Sequence, residues 1–155
     1  MTSTPPQAAI SGPVLFAYDG SELAQLAIEQ ASQQLASGRD ALILCVWQPA
    51  DVGFIPVDER HFDAQNASEV QKAAQQTAAH GASLTERAGF QSESMAVEAA
   101  PTWKGIVEVA EEQQASLIVL GSHRRSGLTG HLLGSVAAAV VAHTASSVLI
   151  VHQQT

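Results

Sequence analysis

The chain has 155 residues, 46% of them hydrophobic, and a formal charge of −8 at pH 7 from 7 Lys and Arg against 15 Asp and Glu. That length suits one domain with a full core, and the acidic balance argues against nucleic acid or an anionic membrane surface as a general partner. No apolar run nears the roughly 20 residues of a membrane span and residues 1–12 lack a signal-peptide pattern, so the expectation is a cytoplasmic protein with a disordered arm over 1–12 and one domain over 13–152.

Pro13 to Tyr18 reads as a first strand, because a parallel strand covered on both faces shows a continuous apolar run. Asp19, Gly20 and Ser21 break it. Glu22 to Ser37 then spaces Leu23, Leu26, Ala27, Ala31 and Leu35 at helical intervals, with Ser21 as N-cap and Gly38 as the stop. Ala41 to Trp47 is a second buried strand holding the single cysteine, Cys45, as a core thiol. Pro49 to Phe62 reads as a surface loop, and Asp63 to Ala88, rich in Ala and Gln, as a helix whose weak apolar face packs lightly. Ser92 to Ala99 is a thinner strand suited to a sheet edge. Pro101 opens a helix to about Gln114 with Trp103, Ile106, Val107 and Ala110 on one face. Leu117 to Leu120 is a fourth buried strand, a last helix runs from Ser135 to about His143, and Ser147 to His152 is a last strand.

Five strands alternating with four helices predict an α/β fold, a doubly wound five-stranded parallel sheet with helices on both faces. In such a sheet a ligand sits beyond the carboxyl ends of the strands, where the winding reverses. Two loops bring polar groups there: Asp19-Gly20-Ser21 after the first strand, and the glycine-rich stretch from Gly121 to Ser135 after the fourth. Every acidic residue lies at or before Glu112, and the later basic side chains are Arg124 and Arg125, both in that stretch. Strand, glycine-rich loop and helix point backbone N–H groups and the positive end of a helix dipole into one concavity, which suits a phosphate. An Asp facing it serves a ribose hydroxyl, an amine or a phosphate-bound Mg²⁺, or else only shapes its own turn through an Asx-type bond to Ser21.

The common phosphate fingerprints fail. The chain has no G-x-x-x-x-G-K-[ST], no G-x-G-x-x-G after the first strand and no G-x-S-x-G. Its six histidines form no H-x-x-x-H pair, and His123 and His131 suit hydrogen bonding within the loop better than metal ligation. What remains is Gly121, Gly134 and Ser135 with a long spacer.

That spacing resembles the universal stress protein family, whose nucleotide-binding members carry G-x2-G-x9-G-[ST] between the fourth strand and the last helix. The resemblance runs from Val14 through the terminal Val-Leu-Ile-Val and includes the Asp after the first strand. It implies strand order 3-2-1-4-5, an adenine nucleotide alpha-hydrolase-like fold and ATP as the ligand, with Mg²⁺ as a candidate companion of its phosphates. In that order the final strand, Val148 to Val151, is an edge of four apolar residues without charge, which predicts a homodimer through it. Residue by residue the resemblance implies that Asp19 lies near the ribose or phosphate and the backbone of Val46 meets the adenine. Gly121, Gly134, Ser135 and the amide of Val136 would line the phosphates, with Ser122, His123, Arg124 and Gly127 as further contacts from the loop. Two positions depart from the pattern: Arg124 replaces the second glycine, and Ala99 stands where a glycine is expected before Ala100 and Pro101. The resulting expectation is a nucleotide-responsive stress or signalling module. A slow ATPase or phosphotransferase, and a nucleotide-free dimerisation protein with Arg124 filling the phosphate site, stand as its rivals.

Overall fold

The computed structural model describes residues 11–48, 64–123, 125–127 and 130–153. In chain order the elements are β1 (Val14–Ala17), α1 (Glu22–Gln34), β2 (Asp40–Trp47), α2 (Ala64–Arg87), β3 (Gln91–Glu98), α3 (Thr102–Glu112), β4 (Leu117–Ser122), β5 (Arg125–Gly127), β6 (Gly130–Leu132), α4 (Ser135–His143) and β7 (Ser147–His152). Five strands pair in parallel in the order β3-β2-β1-β4-β7, which is the 3-2-1-4-5 arrangement when the sheet strands alone are counted. The continuous apolar runs are explained by two covered faces. Val14 and Phe16 of β1 pack under α1 with Ala24, Ala27, Ile28 and Ala31. Leu15 points the other way, with Ile106 and Ala110 of α3 and Val140 of α4. Each of the larger side chains removed from water, such as Phe16, Ile28, Leu15 and Ile106, contributes about 1.5–3 kcal/mol, so the centre of the sheet anchors both layers.

Several boundaries differ from the sequence expectation. α1 begins as predicted: Ser21 Oγ accepts the Ala24 N–H at 3.1 Å, a cap worth about 1 kcal/mol. It ends at Gln34, with Leu35 as an extended C-cap. Gly38 does not stop the helix; at φ +83° it turns the chain, and its N–H reaches the Gly89 carbonyl at 2.7 Å. The segment 49–62, expected as a loop, lies outside the described residues.

α2 does not pack lightly. Ala74, Ala78 and Thr85 are buried, and a Cβ on Gly81 would stand 2.7 Å from both Ile43 Cγ2 and Tyr18 Cδ1. Small residues here replace bulk with proximity, which a tally of large apolar side chains misses. The glycine-rich stretch is also not one open loop. β4 runs on to Ser122, and Arg125–Gly127 pairs antiparallel with Gly130–Leu132 as a hairpin.

The expected N-terminal arm falls outside the described residues except at Ser11 and Gly12. Gly12 accepts from Ser116 Oγ at 3.0 Å, and that hydroxyl also accepts from Arg39 at 2.8 Å. Gly12 has φ +106°, and a Cβ there would strike the Gln114 carbonyl oxygen.

Candidate functional site

The order β2-β1-β4 places the reversal of winding between β1 and β4. A crevice of about 340 Å³ opens there beyond the carboxyl ends of the strands, within the roughly 300–1,000 Å³ of small-molecule sites. Its first wall is the turn after β1. There Asp19 Oδ1 accepts the Ser21 N–H at 2.9 Å and Gly20 takes φ +84°. Asp19 therefore shapes its own turn through an Asx-type bond, and it is the carboxylate among the described lining residues.

The opposite wall joins the end of β4 to the start of α4. Ser122, 2% exposed, accepts the Gly134 N–H on its Oγ at 2.9 Å and so ties strand to helix. Gly134 is the N-cap of α4, with φ −58° and ψ 156° and no side-chain capping bond. The first N–H groups of a helix have no intrahelical partner. At α4 these are the amides of Ser135, Val136 and Ala137, three residues that line the crevice. By contrast α1, whose N-terminus borders the same space, is capped by Ser21. The uncapped helix end carries the partial positive charge that an anion would meet.

Gly121 lines the crevice for a different reason. It pairs with Val151 in the sheet, and a Cβ on it would stand 2.7 Å from Leu23 Cγ and 3.2 Å from the Leu23 carbonyl. Its lack of a side chain lets α1 approach β4. At Gly134 the nearest atom to an added Cβ is Ser122 Oγ at 3.5 Å, so the protein alone leaves room there.

The third side, between β2 and α3, is apolar, with Leu44, Val46 and Ile106. The bond from Tyr18 N–H to the Leu44 carbonyl is on the β1 side of β2, and that from Ala99 N–H to the Trp47 carbonyl is on the β3 side. Backbone groups alternate sides along a strand, so Val46 aims its N–H and C=O toward β1, past the end of that strand. Ala99 is accommodated by Gly105, where a Cβ would come within 2.7 Å of Ala99 Cβ and 3.1 Å of Val46 Cγ1.

Of the predicted site residues, Asp19, Val46, Gly121, Ser122, His123, Gly134, Ser135 and Val136 meet at this crevice. Gly127 pairs with Gly130 in the hairpin after β4, and Arg124 lies outside the described residues. The sequence reading missed Thr102, which follows the helix-opening Pro101 and lines the β2 and α3 end. Its signal, one Thr at a helix start, is too common to stand out. Among the described residues no three His, Cys, Asp or Glu side chains gather as a metal site.

Residues 11–152 match the model of the universal stress protein family. A universal stress protein of Mycobacterium bovis is 36% identical over 150 residues, 92% of this chain and 45% of the relative, so the chain spans about half the length of that relative. Among solved structures, a universal stress protein in complex with cAMP is 28% identical, with a TM-score of 0.65 over 92% of this chain and 98% of its own. The universal stress protein from Archaeoglobus fulgidus in complex with dAMP shares the fold at 20% identity, with a TM-score of 0.57 over 91% and 98% of the two chains.

Proposed function

The chain belongs to the universal stress protein family, and we propose that it works there as an adenine-nucleotide-binding module, with ATP as its ligand. The observation that carries this reading is the N-terminus of α4 at Gly134, which has no side-chain capping bond and where an added Cβ would make only an ordinary contact with Ser122 Oγ at 3.5 Å. An anion there gains amide hydrogen bonds and a favourable helix dipole. The apolar end by Val46 and Ile106 suits a flat base, and the related protein of 28% identity is held in complex with cAMP. Asp19 would face the ribose or phosphate side, and Mg²⁺ would enter on the nucleotide's phosphates.

The same reading makes the protein a nucleotide-responsive stress or signalling module acting in the cytoplasm as a homodimer through β7. Among the described residues no helix is long and apolar enough to cross a membrane. Binding is favoured over catalysis because hydrolysis needs a group that orients water, and Asp19 and His123, the candidates for that role from the two loops, sit in no motif that requires it. Protein stripped of nucleotide in denaturant and refolded, then incubated with ATP and chromatographed, tests the reading. Retained ATP supports it, ADP formed at catalytic rates would make the protein an ATPase, and no retained adenine nucleotide would overturn it in favour of a nucleotide-free dimerisation protein.

A further inference from the structure

Two buried polar groups with unspent bonding capacity lie on neighbouring strands at the phosphate end of the crevice. Ser122, 2% exposed, accepts the Gly134 N–H on its Oγ at 2.9 Å. A hydroxyl has one proton and two lone pairs, so Ser122 keeps its proton and one lone pair, and among the described residues nothing takes them. His152 ends β7 as the register partner of Ser122. Its ring is half-buried, and its Nδ1 is buried without a hydrogen bond. Buried polar atoms of this kind are rare enough in folded proteins to call for a reason.

The sheet puts the two groups on one face. Ile118 and Leu120 of β4, with Val148 and Ile150 of β7, pack with α3 and α4, and side chains two apart along a strand share a face. Ser122 and His152 continue those two rows, separated by one strand spacing of about 4.8 Å. Because β1 flanks β4 on one side and β7 on the other, His152 stands behind the wall that Ser122, Gly134, Ser135 and Val136 present to the crevice. In one ring tautomer Nδ1 can accept the Ser122 proton, and in the other it can donate to the free lone pair. We propose that His152 is a positioning residue of the phosphate cradle, pairing through Nδ1 with Ser122 and so fixing the Gly134 peptide from which the first amides of α4 meet an anion. The bond is open in this structure, and rotation of the two side chains closes it. A hydroxyl bonded on its second side holds the Gly134 N–H more firmly, so an anion on the amides of Ser135 and Val136 favours the closed bond. This inference rests on the nucleotide reading above and assigns a residue outside the crevice that prepares its phosphate end.

Titration calorimetry with ATP on the wild type and on His152→Asn, His152→Gln and His152→Leu, each with Ser122 intact and in a Ser122→Ala background, tests it. An asparagine amide stands where Nδ1 does and pairs with a hydroxyl in either sense, whereas a glutamine amide reaches the place of Nε2. With Ser122 intact, His152→Asn should bind ATP within about twofold of the wild type, and His152→Gln and His152→Leu should lose roughly threefold to tenfold, the range of one neutral hydrogen bond. In the Ser122→Ala background the three substitutions should make no further difference. Should His152→Leu fail to fold, the Asn and Gln variants decide alone. Losses that persist without Ser122, equal losses in the Asn and Gln variants, or unchanged affinity in all three overturn the inference and leave the nucleotide reading standing. A wild type that binds no ATP overturns the nucleotide reading and this inference with it.

Discussion

Gly134 and Ser135 separate folding from binding at single-residue resolution. Because Gly134 has an ordinary negative φ and a Cβ on it would meet only Ser122 Oγ at 3.5 Å, Gly134→Ala should fold normally and weaken ATP binding by crowding the phosphate. Ser135→Ala removes a hydroxyl bond to a charged acceptor, about 1.5–3 kcal/mol. Unchanged ATP affinity in both folded variants would show that the start of α4 holds no phosphate. Gly121→Ala makes the opposite case, since it would drive a Cβ into Leu23 and should lower stability before it touches affinity. Arg124 can be argued from chemistry alone. An arginine at this position of the motif would take the room that a glycine leaves for close phosphate approach, while its guanidinium would add charge-assisted hydrogen bonds. Arg124→Ala should therefore weaken ATP binding, and Arg124→Gly should restore much of it with less salt dependence. Calorimetry at low and high salt reads both effects, and binding gained only in Arg124→Gly would make the arginine a plug. Tyr18 supplies a pH effect. Its hydroxyl is buried among the described residues without a hydrogen bond of good geometry. Burial raises its pKa above 10.0, with the nearby Gln25 side chain opposing the shift and the Asp19 carboxylate adding to it. The unfolded chain releases this proton from about pH 10 and the folded chain only later, so stability falls as pH rises past that point. Tyr18→Phe should leave neutral-pH stability within about 1 kcal/mol and flatten the alkaline fall in Tm.

Between elements, the contact of β2, β3 and α3 shows how a departure from the family pattern is absorbed. Ala99 occupies the expected glycine position, and Gly105 one turn into α3 lacks the Cβ that would stand 2.7 Å from it. Gly105→Ala should cost about 1–3 kcal/mol from overpacking, despite gaining up to about 1 kcal/mol of helix propensity. Adding Ala99→Gly should recover much of the loss. Urea unfolding of both single variants and the double variant measures the coupling; no recovery would assign the clash to Val46, 3.1 Å away. This contact was illegible in the sequence, where Ala99 registered as a departure and Gly105 not at all, because a missing Cβ matters only once its neighbour is known. Strands β1, β2, β4 and β7 were legible because burial on both faces writes itself as a continuous apolar run. The hairpin from Arg125 to Leu132 was not, since short pairs with glycine at Gly127 and Gly130 carry neither alternation nor β-branched residues. At the site, the ends of β1 and β4 were legible from Asp19, Gly121 and Gly134. Thr102 and Gln48 were not, being common polar residues that only the fold brings to 3.0 Å.

On the scale of the whole molecule, the two edges of the sheet are protected unequally. β3 carries Glu93 and Glu98 on one edge, charges of the kind that discourage pairing with another chain. β7, SVLIVH, carries no acidic or basic residue other than His152, and Val148, Leu149 and Ile150 are only partly buried. Three further apolar side chains near α4 are exposed, Leu133 and Val136 at 37% each and Val141 at 47%. An uncharged apolar edge is a surface that association would cover. Sedimentation at tens of micromolar should therefore find wild-type dimers, with Ile150→Lys and Val141→Glu shifted toward monomer while their crevices still bind ATP. A monomeric wild type would remove the homodimer from the reading. Val136 would tie the two halves of that reading together, because it lines the crevice at the start of α4 and is 37% exposed. If the dimer contact covers Val136, ATP bound at the start of α4 would favour one association state, and by linkage association would change ATP affinity by the same factor. Saturating ATP should then shift the dimer dissociation constant of the wild type, and Val136→Ala should reduce that shift. An identical constant with and without ATP would leave a nucleotide-binding dimer whose two properties are independent.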